Sequence, residues 1–169
     1  MSESHSDGAG AAEGQGGSQV QLRIERLYLK DASFESPGTP SIFAEQQWRP
    51  KTQVDINTRA NSLGDNRHEV VLTATVTSTR DEDKVAFVVE VQYAGIFVIE
   101  GASDPELQQV LGIACPSALF PYVRENLDNL VVRGGFPALH LAPVNFEVLF
   151  AQALQQARQK QVEAGLPTH

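Results

Sequence analysis

The fold of this chain is set by residues 70–99, which read VVLTATVTSTRDEDKVAFVVEVQYAGIFVI. In the first third, apolar residues alternate with threonines, and this period of two predicts a strand with one buried face. The charged residues 79–84 then predict a hairpin turn. After the turn one face of the next strand is again apolar, formed by Val85, Phe87, Val89, Val91 and Tyr93. The stretch therefore predicts two adjacent antiparallel strands.

Two further strands are predicted before this hairpin. The first begins at Val20, and its alternation of apolar and polar residues reverses phase near Arg26, which predicts either a bulge there or a strand buried partly on both faces. The second is centred on Ile56. Residues 36–50 are rich in proline and predict a loop, and residues 60–67 predict a turn.

Helices are predicted after the last strand. The first begins near Asp104, and Pro116 is expected to end it. The second runs from Ser117 to the glycines at Gly134, and the third follows Asn145, a good N-cap residue. Four strands followed by helices are typical of an α+β fold, here a four-stranded antiparallel sheet with helices packed on one side.

The chain has 169 residues, which fits one compact domain with tails at both ends. Residues 1–18 contain no large apolar residue, so we expect a disordered N-terminal tail. The domain is expected to span residues 19–159, and residues 160–169 to form a flexible C-terminal tail.

Charge and composition exclude several classes of function. The formal net charge of −8 would repel a phosphate backbone, so nucleic acid is not an expected partner, whereas a basic polypeptide would be attracted. No apolar run is long enough to insert into a membrane. The acidic N-terminus does not resemble a secretory signal, and the single cysteine fits a reducing compartment, so we expect a cytoplasmic protein.

No residue pattern points to catalysis. The chain has no Gly-rich phosphate loop and no nucleophile elbow, and its four histidines are scattered, so neither an enzyme nor a metal site is predicted. Cys115 precedes a proline among apolar neighbours and is expected to be a buried structural thiol.

Four segments, in order, resemble the SecB family of bacterial protein-export chaperones. They read YLKDASFESP at 28–37, VVEVQYAGIF at 88–97, CPSALFPYVRE at 115–125 and GFPALHLAPVNF at 135–146. The resemblance implies an ATP-independent chaperone that holds unfolded precursor proteins and delivers them to the SecA translocation motor. It also implies a homotetramer built as a dimer of dimers, and no cofactor.

The resemblance also implies where SecA is bound. By motif, the residues that contact its basic C-terminal tail fall on Asp31, Glu35, Val88 and Glu90. Independently, the period-two pattern places Val88 and Glu90 together on the face of their strand opposite the core. Without the resemblance, exposed carboxylates on a sheet face would indicate only a solvated surface.

Two other sets of residues are assigned. Phe43, Trp48 and Phe136 are predicted to line a groove for unfolded clients, although for any single one of these aromatic residues ordinary core packing is the slightly favoured interpretation, because large apolar residues are usually buried. Val89, Val91 and Tyr93 are predicted to lie at or beside a subunit interface, because the long fourth strand carries much apolar surface.

Two alternative functions remain open from the sequence. A SecB-like chaperone could protect an antitoxin instead of export precursors. A small acyl-thioester-binding enzyme has a sheet wrapped around a helix, but that helix lies between early strands, whereas the helices predicted here follow all four strands.

Overall fold

The computed structural model of the chain describes residues 19–44, 47–80 and 84–165. Predictions for the N-terminal tail, and for the middle of the charged hairpin turn, fall outside these residues. The elements are, in chain order, β1 (Gln21–Glu35), a 3-10 turn (Ser41–Ala44), β2 (Lys51–Gly64), β3 (Arg67–Arg80), β4 (Lys84–Glu100), α1 (Asp104–Gln109), a π-helical turn (Val110–Ala114), α2 (Cys115–Arg133) and α3 (Phe146–Ala164).

The strands form one antiparallel sheet in the order β1-β4-β3-β2. The central pair β3 and β4 is the hairpin that the alternating pattern predicts. All helices follow the sheet in the chain, and α2 packs across β3 and β4. The predicted α+β class, with a four-stranded antiparallel sheet and helices after it, is confirmed.

Strand β1 contains two bulges, at Glu25 and at Lys30. The first confirms the phase reversal predicted near Arg26, and the second was not predicted. An extra residue in one strand moves every later side chain to the other face. Between the two bulges, odd-numbered residues such as Leu27 therefore lie on the side of the sheet that faces the helices. After Lys30, the odd-numbered residues lie on the opposite side.

The connection between β2 and β3 is shorter than predicted. Most of residues 60–67 pair in the ladder, and only Asp65 and Asn66, with φ angles of 52° and 57°, form the turn itself. Two consecutive left-handed residues match the twist of a two-residue hairpin, and Asp and Asn tolerate that conformation. The turn prediction was therefore too long.

The core lies between the helix-facing side of the sheet and α2. Both surfaces are completely buried at their centres, with Val70, Leu72 and Val76 of β3, Phe87, Val89 and Val91 of β4, and Leu119, Val123 and Leu127 of α2 all at 0% exposure. Burying one such side chain stabilises the fold by roughly 1.5–3 kcal/mol. This buried layer supports the surfaces on both sides of the sheet.

Pro116 does not end the first helix, contrary to the prediction. Helix α1 continues through the π-helical turn into α2, with Pro116 in the first turn of α2. The backbone N–H of Cys115 donates to the carbonyl of Val110, five residues back. This wider turn accommodates a proline, which lacks the N–H that a regular α-helix needs at that point.

Helix α3 begins as predicted, because the Asn145 side chain accepts a hydrogen bond of 3.1 Å from the Val148 backbone N–H. The helix continues to Ala164, past residue 159 where the domain was expected to end. Among the residues of α3, only Phe146 is buried, so most of this helix stands exposed beside the domain.

Candidate functional site: two opposite surfaces

The sheet face turned away from α2 collects the four residues assigned to SecA binding. Val88 and Glu90 point outward because their neighbours along β4 point into the core. The bulge at Lys30 turns the end of β1 the same way, so that Asp31 pairs with Gln92 and Glu35 pairs with Val88. All four predicted residues therefore share one end of the outer sheet face.

Hydrogen bonds orient the central carboxylate of this group. Glu90 accepts a bond of 2.7 Å from the Thr75 hydroxyl and one of 3.4 Å from the Gln92 side-chain amide. Within the described part of the chain, no ion pair involves Asp31, Glu35 or Glu90. The three carboxylates therefore present negative charge to a partner.

Sequence reasoning missed Asp55, a fourth carboxylate on this face. Asp55 pairs with Thr75, which in turn pairs with Glu90, so the three side chains form one row across the sheet. The amide of Gln53 donates to Asp55 at 3.0 Å. The alternation around Ile56 already placed Asp55 on the polar side of β2, but only the strand order brings it beside Glu90. We call Asp31, Asp55, Glu90 and Glu35, with Val88, the acidic patch.

At the other end of the same face, the carboxylates form ion pairs with neighbouring basic side chains. Glu25 receives two bonds from the Arg67 guanidinium, at 2.7 and 3.1 Å, and Glu69 accepts from Lys30 at 2.7 Å and from the Tyr28 hydroxyl. The bond from Lys30 holds the pKa of Glu69 below its usual range. Desolvation, followed by the contact with Glu69, raises the pKa of Tyr28 to about 12.

The three residues assigned to client binding meet at one end of the core. Ring centroids of Phe43 and Trp48 lie 5.3 and 5.2 Å from that of Phe136, which also contacts Phe87 at 4.9 Å and Phe34 at 6.2 Å. We call these five rings the aromatic cluster.

Exposure separates the members of the aromatic cluster. Phe136 is only 5% exposed and Phe87 is fully buried, as the core-packing interpretation expects, whereas Phe43 is 52% exposed. Gly134 permits the close packing, because a Cβ atom there would lie 2.2 Å from the ring of Phe34. The cluster thus has a buried base and an open edge at Phe43.

A second, partly apolar surface, not predicted from the sequence, lies between α3 and β2. It is an open cleft of about 670 Å³ with a mixed lining. Its apolar residues include Ile56 and Ala60 of β2, Leu111 of the π-helical turn, and Phe146, Leu149, Phe150 and Ala153 of α3, and its polar residues are Asn57, Thr58, Gln108, Gln152 and Gln156. We call it the α3 cleft. The amphipathic pattern of α3 was visible in the sequence, but the strand that it faces was not.

The interface prediction requires correction for two of its three residues. Val89 and Val91 have no exposed surface because α2 of the same chain covers them. Tyr93 is partly exposed and stacks on Tyr122 of α2, with centroids 5.2 Å apart and an interplanar angle of 8°. Apolar surface is available instead on β1, an edge strand of the sheet, where Leu22, Ile24 and Leu29 are 41–47% exposed.

Groups that could support chemistry are sparse in the described residues. Cys115 is buried, and desolvation raises the pKa of its thiol to about 12, so it remains protonated at neutral pH. Across residues 19–44, 47–80 and 84–165, no three metal-binding side chains lie close enough to share an ion. The same residues contain no helix with the length and hydropathy of a membrane span.

The fold is of the α+β class, with an antiparallel sheet that has one polar face and one helix-covered face, next to a partly exposed aromatic cluster. A family model described as preprotein translocase subunit SecB matches residues 15–157. Protein-export proteins SecB are similar over nearly the whole chain. The one from Marinobacter nauticus is 50% identical over 89% of this chain and 90% of the relative, and the one from Pseudomonas syringae pv. tomato is 49% identical over 99% of both. This chain belongs to the SecB family of protein-transport chaperones.

A solved structure supports the fold. A Mycobacterium tuberculosis SecB-like chaperone, in complex with a ChAD peptide from the antitoxin HigA1, superposes with a TM-score of 0.61 at 17% identity, covering 73% of this chain and 90% of that one. At this identity the likeness concerns the fold alone.

Proposed function

We propose that this chain holds unfolded precursor proteins in the cytoplasm, without ATP, and delivers them to the SecA motor for export. The observation that carries the proposal is the separation of two chemically different surfaces on one rigid domain. The acidic patch lies on the outer face of the sheet, whereas the aromatic cluster and the α3 cleft lie on the helix side.

The acidic patch suits the basic C-terminal tail of SecA. Its carboxylates have no cationic partner among the described residues, so a basic segment finds negative charge that is not already neutralised. Val88, partly exposed between Glu35 and Thr77, adds an apolar contact within the same surface. Rim charge of this kind accelerates encounter and selects the partner.

The helix-side surfaces suit unfolded clients, which share apolar side chains but no common sequence. Phe43 offers an exposed ring over a buried aromatic base, and the α3 cleft offers apolar side chains next to amide and hydroxyl groups that can bond to an unfolded backbone. Folded proteins seldom expose comparable apolar patches, so selectivity for unfolded chains follows from the chemistry of the surface.

A homotetramer, assembled as a dimer of dimers, is part of the proposal. No strand among the described residues pairs with the outer edge of β1, which also carries exposed Leu22, Ile24 and Leu29. Pairing with β1 of a second copy would satisfy the backbone groups of this edge and cover the apolar side chains. Light scattering should report about four protomers per particle; a monomer at micromolar concentration would contradict this part.

Export clients are favoured over an antitoxin because relatives near 50% identity are protein-export proteins, whereas the antitoxin-peptide complex is related at 17%. The test is an aggregation assay without nucleotide. The protein should delay aggregation of an unfolded secretory precursor and bind its folded form far more weakly. Equal binding to both forms would contradict the proposal.

A further inference from the structure

The segment 137–145 links the aromatic cluster to α3. It follows Phe136, whose ring lies in the cluster, and it ends at Asn145, the N-cap of α3. It has no regular secondary structure, although Leu139, Leu141 and Val144 pack against the core. We call this segment the linker.

One side chain of α2 holds the middle of the linker. An oxygen of the Asp128 carboxylate, Oδ1, accepts hydrogen bonds from the backbone N–H groups of Leu139 at 2.8 Å and His140 at 3.2 Å. The side chain of Asp128 is only 23% exposed. Hydrogen bonds to a charged acceptor that is partly shielded from water are stronger than those between neutral groups.

The backbone at His140 shows why the linker needs such a contact. Its φ angle is 50°, in the left-handed region, which is uncommon for residues other than glycine even though histidine adopts it more often than most. Its imidazole is 85% exposed, with Nδ1 3.9 Å from the second carboxylate oxygen of Asp128. The two backbone bonds therefore stabilise a backbone conformation of the linker that residues other than glycine seldom adopt.

Helix α3 has few other attachments. The ring of Phe146 is buried and meets Phe120 edge to face, with centroids 6.1 Å apart. The ring of Phe150 lies over Gly112, where a Cβ atom would come within 2.4 Å of it. Beyond Phe150 the helix is exposed. Its angle to β2, and with it the width of the α3 cleft, therefore depends on how the linker enters the helix.

We propose that Asp128 is a positioning residue that sets the width of the α3 cleft for an extended apolar segment of a client. By fixing the linker it also keeps Phe136 and α3 in one arrangement, so that the aromatic cluster and the α3 cleft bind as a single surface. This inference rests on the proposed client-holding function and adds to it a residue that touches no client.

The test compares three full-length variants, Asp128→Ala, Asp128→Asn and Glu125→Ala. Asparagine keeps an Oδ1 acceptor, whereas alanine removes it. Glu125 is an exposed carboxylate of α2 with no bond to the linker among the described residues, so its variant controls for the lost charge. Hydrogen exchange at the Leu139 and His140 amides should accelerate at least about tenfold in Asp128→Ala only.

Binding is measured with reduced, carboxymethylated α-lactalbumin, a chain that cannot refold, under conditions where urea titration shows every variant folded. Asp128→Ala should bind it roughly three- to tenfold more weakly, while Asp128→Asn and Glu125→Ala bind as the parent does. Adding His140→Gly to Asp128→Ala should restore part of the binding, because glycine adopts the left-handed conformation without strain.

Three results would overturn the inference: parent-like binding by Asp128→Ala, equal weakening in Glu125→Ala, or loss of binding in Asp128→Asn while its linker amides stay protected. If the parent protein itself does not bind the unfolded chain, the proposed function fails. The exchange rates then still decide whether Asp128 fixes the linker, so the two failures are distinguishable.

Discussion

Val88 and Glu90 alternate with Val89 and Val91 along β4, yet the two pairs serve opposite surfaces. Val89 and Val91 are fully buried under α2, whereas Val88 and Glu90 lie on the outer face beside the end of β1. One face of the strand therefore contributes folding energy, and the proposed SecA-binding residues lie on the other face. Substitutions on the first should lower stability, and substitutions on the second should change binding in a folded protein.

The largest expected effect is on the buried side. Leu127 of α2 is completely buried against the sheet, and Leu127→Ala should lower the free energy of unfolding by about 2–5 kcal/mol, through lost burial and the cavity left behind. Urea denaturation measures this loss. Val88→Ala on the outer face is the matched comparison and should lose much less; equal losses would erase the distinction between the two faces.

Next in size is the effect of Glu90→Lys. A cation in the acidic patch should repel the basic SecA tail and weaken its binding about 10- to 100-fold, equivalent to roughly 1.4–3 kcal/mol. Client holding should be unchanged, since Glu90 lies on the opposite side of the sheet from the aromatic cluster. Calorimetric titration with a tail peptide and an aggregation assay on the same variant provide the two readings.

Glu90→Gln serves as the control for shape, because it keeps an acceptor for the Thr75 hydroxyl and removes only the charge. It should weaken tail binding less than Glu90→Lys does. If Glu90→Lys binds the tail with parental affinity, the assignment of this carboxylate is wrong.

A smaller expected effect is that salt changes the affinity for the SecA tail more than the affinity for clients, which distinguishes the two surfaces without any mutation. Raising sodium chloride shortens the screening length, which is about 8 Å at physiological ionic strength, and should weaken tail binding several-fold. Client binding through apolar burial should change little or strengthen slightly. Parallel titrations at two salt concentrations test this. A client affinity that falls as steeply as the tail affinity would mean that charge also dominates client binding.

The smallest effect concerns the end of the outer sheet face where the carboxylates are already paired with basic side chains. The pKa of Tyr28 is raised from 10.0 to about 12, so its contribution to stability is complete below pH 10 and is lost as the pH rises through about 12. Between these values, the unfolding free energy of the parent should fall more steeply with pH than that of Tyr28→Phe. Parallel slopes would contradict the raised pKa of Tyr28, to which desolvation contributes most and the contact with Glu69 contributes next.

Much of the fold was readable from local pattern, because alternation and helical spacing report directly which side of an element is buried. The hairpin at residues 70–99, the bulge near Arg26 and the Asn145 cap all follow from neighbours in the chain. The same alternation placed Val88 and Glu90 on one face. The ordered motifs between residues 28 and 146 were sufficient to indicate the SecB family, which the matching family model confirms.

The local sequence pattern could not predict how the acidic patch is assembled or which apolar faces are covered, because both depend on residues far apart in the chain. The bulge at Lys30 turns Asp31 and Glu35 toward Glu90, and strand order alone places Asp55 beside them. Burial of Val89 and Val91 depends on where α2 crosses the sheet, so apolar surface read as an interface proved to be core.

The two surfaces on the helix side of the sheet also depend on contacts between residues far apart in the chain. Phe43, Trp48 and Phe136 could be named from their size, but their ring contacts form only when the loop after β1 meets the end of α2. The apolar side of α3 was visible in the sequence, but neither the strand that it faces across the α3 cleft nor the bonds from Asp128 to the linker have a local signature. Local spacing determines which face of an element is apolar, whereas long-range packing determines what that face meets.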